Sequence, residues 1–136
     1  MTPTLFAFAG FIAWSLLLLV LMEAIRTRLV LAKAVPANGF TPDNSNLPPF
    51  MQRLARAHAN CVEGLPIFGG LMLLAVVAGK SAITDPLALF FLAARVLQSL
   101  VHLSSVSASA VTARFALFAV QMVIGVYWAA RLLISA

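Results

Sequence analysis

Uncharged apolar stretches recur four times along the chain, separated by polar segments of unequal length. Leu5 to Met22 carries no charge, Cys61 to Gly79 carries only Glu63, Pro86 to Val106 carries only Arg95, and Phe115 to Ala130 carries none. About 20 apolar residues, rising ~1.5 Å each, cross a hydrocarbon core of about 30 Å. The pattern predicts an all-α integral membrane protein: a four-transmembrane-helix bundle with helices near 4–28, 48–79, 86–106 and 110–134 of a single domain covering 1–136.

The connections predict how the bundle is oriented. The first, from about Thr27 to Pro49, holds Pro36, Asn38, Gly39, Pro42, Asp43, Asn44, Pro48 and Pro49, all turn or helix-breaking chemistry. The second, Gly79 to Pro86, is short, and the third, near Ser104 to Thr112, is small and serine-rich. Arg26, Arg28, Lys33, Arg53 and Arg56 fall in or beside the first connection, and Arg114 borders the third. By the positive-inside bias, these two loops face the cytoplasm and both termini face the opposite side, as expected in a bacterial inner membrane. The first stretch has no basic residues before it and runs into Glu23, Arg26 and Arg28 rather than a small-residue cleavage site, so it reads as a retained helix.

Composition narrows the class. With 62% hydrophobic and 10% charged residues and a mean hydropathy of +1.03, the chain is neither a soluble globular domain nor a disordered one. Cys61 is the only cysteine, which excludes a disulfide scaffold. The net charge of +5 would suggest nucleic acid in a soluble chain. Here the clustering of cations beside one polar loop reads as membrane topology plus an anion site, and no nucleic-acid partner is expected.

An ionisable side chain at membrane depth costs at least about 2.5–3.5 kcal/mol, so each one is a candidate for function. At about 100° per residue, Arg53, Arg56, Asn60 and Glu63 lie within one arc of the second helix, whereas His58 and Cys61 lie elsewhere. Two guanidiniums, an amide and a carboxylate on one face suit a zwitterionic ligand; the alternative is an interhelical network in which Glu63 pairs with Arg56 or Arg95. On the third helix Arg95, Gln98 and His102 share a face, and on the fourth Arg114 aligns with Gln121. No second histidine or carboxylate stands at ligand spacing from His102, so no metal is expected. Trp14, Tyr127 and Trp128 suit interfacial belts or lipid contact. Gly69 and Gly70 suit close helix approach, and Pro66 is expected to kink the second helix.

The run Arg53-Leu54-Ala55-Arg56-Ala57-His58-Ala59-Asn60-Cys61-Val62-Glu63-Gly64-Leu65-Pro66-Ile67-Phe68 resembles the R-A-x-x-N-x-x-E-x-x-P-x-F segment of the MAPEG family, the membrane-associated proteins of eicosanoid and glutathione metabolism. The resemblance implies a four-helix protomer in a homotrimer, with glutathione bound between adjacent subunits near the cytoplasmic face. It implies glutathione contacts from Arg56, Asn60 and Glu63, with Arg53 close by, and an arginine from the end of the neighbour's first helix, Arg28 in preference to Arg26. On the third helix, where the family commonly reads R-x-x-[YH]-x-x-x-Y, the chain has Arg95, Gln98 and His102, so two usual tyrosine hydroxyls are replaced. Arg114 stands where the family places the arginine beside the glutathione sulfur.

Arg114 and His102 are therefore the expected catalytic residues, and Arg28, Arg53, Arg56, Asn60, Glu63, Arg95 and Gln98 the expected binding residues. The activity implied is that of a glutathione transferase or peroxidase acting on a lipophilic electrophile or hydroperoxide that arrives through membrane lipid. A non-catalytic glutathione- or lipid-binding protein of the same fold is the alternative that Gln98 and His102 leave open. A small multidrug transporter would bury an acidic residue in the middle of its first helix, and Leu5 to Met22 has none.

Overall fold

In a computed structural model describing residues 1–136, every regular element is helical. Helix α1 spans Pro3–Leu31 and α2 spans Pro49–Gly64. A π-helical turn, Leu65–Gly69, continues α2 into α3, Gly70–Val77, so that Pro49–Val77 is one span. Helices α4, Ser81–Ser104, and α5, Ala108–Ile134, complete the four spans, each long and apolar enough to cross a membrane.

Local chemistry sets most of the boundaries. Thr2 caps α1 by accepting a hydrogen bond from Leu5 N at 3.1 Å, and Pro3 occupies the first turn, where its missing N–H is not needed. Ser107 caps α5 by accepting from Ala110 N at 3.2 Å. The third span begins at Ser81 rather than at 86. Pro86 sits early enough in α4 that only one intrahelical bond is lost, and Asp85 and Thr84 bind α1 instead of forming a loop. At Pro66 the expected irregularity takes the form of the π turn, whose wider ring relieves the clash between proline and the preceding turn.

The spans alternate in direction. At one end, Thr4 N and Oγ1 donate to Asp85 Oδ1 at 3.0 and 2.6 Å, and Lys80 Nζ donates to the Ser135 hydroxyl at 3.2 Å. At the other, the connection 32–48 folds back on α1. Arg26 donates from Nε to Asn44 Oδ1 at 3.1 Å and from Nη2 to the Thr41 carbonyl at 3.1 Å, and pairs with Glu23 at 3.0 Å. Asn44, in the left-handed region at φ 56°, donates from Nδ2 to the Met51 carbonyl at 2.7 Å, tying the loop to α2.

An aromatic cluster fills the bundle centre, with Phe91 5.7 Å from Phe11, 4.9 Å from Phe68 and 5.6 Å from Trp128, centroid to centroid. Trp128 is fully buried, which corrects its expected place in an interfacial belt; its side chain points at α4. Tyr127 is exposed and accepts from Arg131 Nη1 at 3.1 Å. Close approach uses Gly69, where a Cβ would stand 3.0 Å from Phe8, and Gly125, where it would stand 2.7 Å from Phe68, but not Gly70, which faces open space. The outer surface carries Leu16, Val20, Phe90, Val123 and Val126, all exposed, as a lipid-facing surface would.

Candidate functional site

At the end of the bundle that carries the long loop, a cavity of about 890 Å³ opens between α2, α4, α5 and that loop. Its volume lies in the range of about 300–1,000 Å³ typical of small-ligand sites. Seven of the nine expected site residues line it: Arg53, Arg56, Asn60, Glu63, Gln98, His102 and Arg114. The α2 set converges because its members recur at helical spacing. The α4 and α5 set converges because only Ser105, Ser107 and Val106 separate the two helices, turning Arg114 back onto the last turn of α4.

That short turn brings two of the expected residues into contact. Arg114 Nη1 donates to His102 Nδ1 at 2.7 Å. A guanidinium has no acceptor, so Nδ1 must be unprotonated, and the proton of the neutral imidazole belongs on Nε2. His102 is buried and Arg114 half-buried, so the pair forms the deep wall of the cavity.

Arg53 Nε donates to the Leu103 carbonyl at 2.9 Å, bracing α2 against the end of α4. Arg56 and Glu63 are exposed two turns apart on α2 without a hydrogen bond to each other. The only ion pair in the chain is Arg26–Glu23, so Glu63 pairs with neither Arg56 nor Arg95 and both charges on α2 stay available. Asp43 and Ser45 bring the first loop to the rim.

Two expected residues stand elsewhere. Arg95 is fully buried behind the wall: Nη1 donates to the Asn60 side-chain oxygen, and the guanidinium lies 5.2 Å from the Phe11 ring and 6.0 Å from that of Phe68. Arg95 thus holds a cavity residue rather than facing the cavity. A Cβ on Gly64 would stand 2.8 Å from Arg95 Nη2, closer than side chains approach, which explains the glycine after Glu63. Arg28 is exposed at the end of α1 and does not line this chain's cavity, while Arg26 is committed to the loop.

From the sequence, Gln121 is legible only as a polar residue aligned with Arg114. It is fully buried, and its Nε2 donates to Gln98 Oε1 at 2.8 Å. Beside the polar cavity lies an apolar groove of about 660 Å³ between the second span and α5, with Ile67, Phe68, Leu71, Met122 and Val126 in its walls. Asn60, Glu63 and Phe118 border both spaces. No group of three His, Cys, Asp or Glu side chains is placed to hold a metal ion. Cys61 is buried and free, its Sγ 3.4 Å from Ser99 Oγ.

Residues 4–134 of the 136-residue chain match the model of the MAPEG family. Neither a curated protein nor a solved structure matches it. A match over nearly the whole chain, joined to four spans and a polar cavity built from the second, third and fourth of them, assigns the lineage: this is a member of the MAPEG family, the glutathione- and eicosanoid-related membrane proteins.

Proposed function

We propose that the protein is a membrane-bound glutathione transferase, able also to act as a glutathione peroxidase, whose second substrate is a lipophilic electrophile or hydroperoxide. The observation that carries this reading is the Arg114–His102 pair at the wall of a cavity that also holds Arg53, Arg56, the amides Gln52, Asn60 and Gln98, and the helix-borne carboxylate Glu63. Glutathione presents two carboxylates, an ammonium, two peptide units and a thiol. Arg53 and Arg56 suit the carboxylates, Glu63 the ammonium, and Asn60 and Gln98 the peptide oxygens, so the residues fit the molecule.

A thiol with a pKa near 8.5 is a weak nucleophile at neutral pH, because the thiolate is the reactive form. A guanidinium beside the sulfur stabilises the thiolate, each unit of pKa being worth about 1.4 kcal/mol. Arg114 supplies that charge. The bond to Nδ1 holds the imidazole so that His102 Nε2–H can donate to the sulfur. In conjugation the sulfur forms a bond to the electrophilic carbon as the leaving group departs with the bonding pair. In peroxide reduction two glutathione molecules become the disulfide while the hydroperoxide becomes an alcohol and water. The apolar groove that meets the cavity at Asn60, Glu63 and Phe118 supports delivery of the second substrate from lipid.

Assembly as a homotrimer belongs to the same proposal. It gives the exposed, unpartnered Arg28 a role at a neighbouring copy's cavity. The cation clustering beside the first and third loops supports placing them, and the cavity, on the cytoplasmic side.

The test is ultraviolet difference absorption of the thiolate in detergent-purified protein titrated with glutathione at neutral pH. A thiolate signal is expected in the wild type and is lost in Arg114→Ala, with turnover falling about 10²-fold or more and binding largely kept. Binding with no thiolate signal in the wild type would refute catalysis and favour the glutathione- or lipid-binding alternative.

A further inference from the structure

Three carboxamides line the cavity, Gln52, Asn60 and Gln98, and a carboxamide can present either its oxygen or its NH2 to a ligand. Which one it presents is decided by the partner on its other side. For Gln98 that partner is traceable through three groups. Gln121 Nε2 lies 3.1 Å from the Leu117 carbonyl, which can only accept, so this end of the Gln121 carboxamide must be the nitrogen. The same nitrogen lies 2.8 Å from Gln98, which must therefore turn its oxygen to Gln121. The opposite end of Gln98, Nε2, makes no hydrogen bond within the chain, and Gln98 lines the cavity. Reversing Gln121 would set its oxygen against the Leu117 carbonyl, which can only accept. Within this chain of three groups the observed orientation leaves Gln121 Oε1 buried without a partner.

Asn60 on the facing helix is held the same way. Arg95 has only donors, so the Asn60 oxygen is turned back to it and Asn60 Nδ2 is left for the cavity. Asn60 and Gln98 thus both present donors, whereas the Gln52 nitrogen is engaged by the Leu47 carbonyl at 2.9 Å.

We propose that Gln121 is a positioning residue that fixes Gln98 with its NH2 toward the cavity, making the site selective for a ligand that offers a carbonyl or carboxylate oxygen between α2 and α4. The choice of ligand rests on the glutathione reading above; the orientation of Gln98 does not.

Binding of S-methylglutathione, which has no ionisable thiol, is measured by calorimetry on the detergent-solubilised protein. Gln98→Leu and Gln121→Leu are each expected to weaken binding about three- to tenfold, the size of one lost hydrogen bond. The double variant is expected to bind no more weakly than Gln98→Leu, because Gln121 acts only through Gln98. Wild-type affinity in Gln121→Leu, or losses that simply add, would overturn the proposal. Should Gln121→Leu fail to fold, Gln121→Asn keeps the amide but falls short of Gln98, and the same outcomes apply. Should the wild type not bind S-methylglutathione, the glutathione reading falls and the relay is judged by nuclear magnetic resonance with isotope-labelled glutamine. There, Gln121→Asn is expected to shift the Gln98 side-chain amide signals, identified by their loss in Gln98→Leu. Unshifted signals overturn the relay.

Discussion

Gly64→Ala adds one methyl group at the point where α2 touches the buried charge of α4. The new Cβ would stand 2.8 Å from Arg95 Nη2, 3.5 Å from Arg95 Cζ and 3.4 Å from Phe68 Cδ2. A guanidinium tip can ordinarily swing aside. This one is fully buried, bonded to Asn60 and packed by Phe11 and Phe68, so moving it breaks a charge-assisted hydrogen bond. Overpacking costs about 1–3 kcal/mol, and the bond contributes roughly 1.5–3 kcal/mol. Against these stands the helix preference of alanine over glycine, about 1 kcal/mol. The balance is a loss of roughly 1.5–5 kcal/mol by the same figures. Gly70→Ala, six positions along the same span, meets nothing within 4 Å and keeps only the favourable part. Thermal unfolding in one detergent is expected to place Gly64→Ala well below the wild type and Gly70→Ala at or slightly above it. Equal midpoints for the two variants would refute the claim that Arg95 is immobile.

Three further outcomes are expected. Trp128→Ala empties a fully enclosed site and should lose about 3–5 kcal/mol, whereas Trp128→Phe, which also removes a buried indole N–H with no partner, should lose much less; comparable losses by thermal denaturation would contradict this packing. Asp85→Ala removes the acceptor of Thr4 N and Oγ1 and should cost about 1–2 kcal/mol, with amide exchange at the start of α1 accelerated while that of α5 is unchanged. The hydrogen bond from Thr41, then that from Ser45, holds the Asp43 carboxyl below the usual carboxylate range. Its contribution to loop order is therefore complete above the unfolded value and is lost as pH falls through the lowered one; a carboxyl resonance titrating at or above the ordinary value would refute it.

Much of the architecture was readable because it follows from repeating chemistry. Four charge-free stretches predict four spans, and angular spacing alone groups Arg53, Arg56, Asn60 and Glu63. Angle gives direction around a helix but not depth between helices. Arg95 shares its face with Gln98 and His102, yet it ends behind Asn60 while they reach the cavity. Trp128 reads as a belt residue from its place near a helix end, and only the position of Phe91 on another helix reveals it as core. Gly125 carries no local signal for Phe68, which lies far away in sequence. The His102–Arg114 contact depends on the three-residue turn between α4 and α5, which is shorter than the serine-rich stretch suggests.

The π turn at Leu65–Gly69 has a consequence for how this chain tolerates changes in length. A turn of this kind holds one residue more than an α-turn of the same rotation. Deleting a residue elsewhere in the second span would swing everything beyond it by about 100°, carrying apolar side chains such as Met72 out of the core. Within Leu65–Gly69 the surplus residue is already accommodated, and Ile67 there is 62% exposed. Losing Ile67 would let the stretch close into an ordinary α-helix with the halves above and below still in phase. The span is thus two independently indexed rods joined by a one-residue reserve: one carries Arg53, Arg56, Asn60 and Glu63, the other Met72 and Ala75.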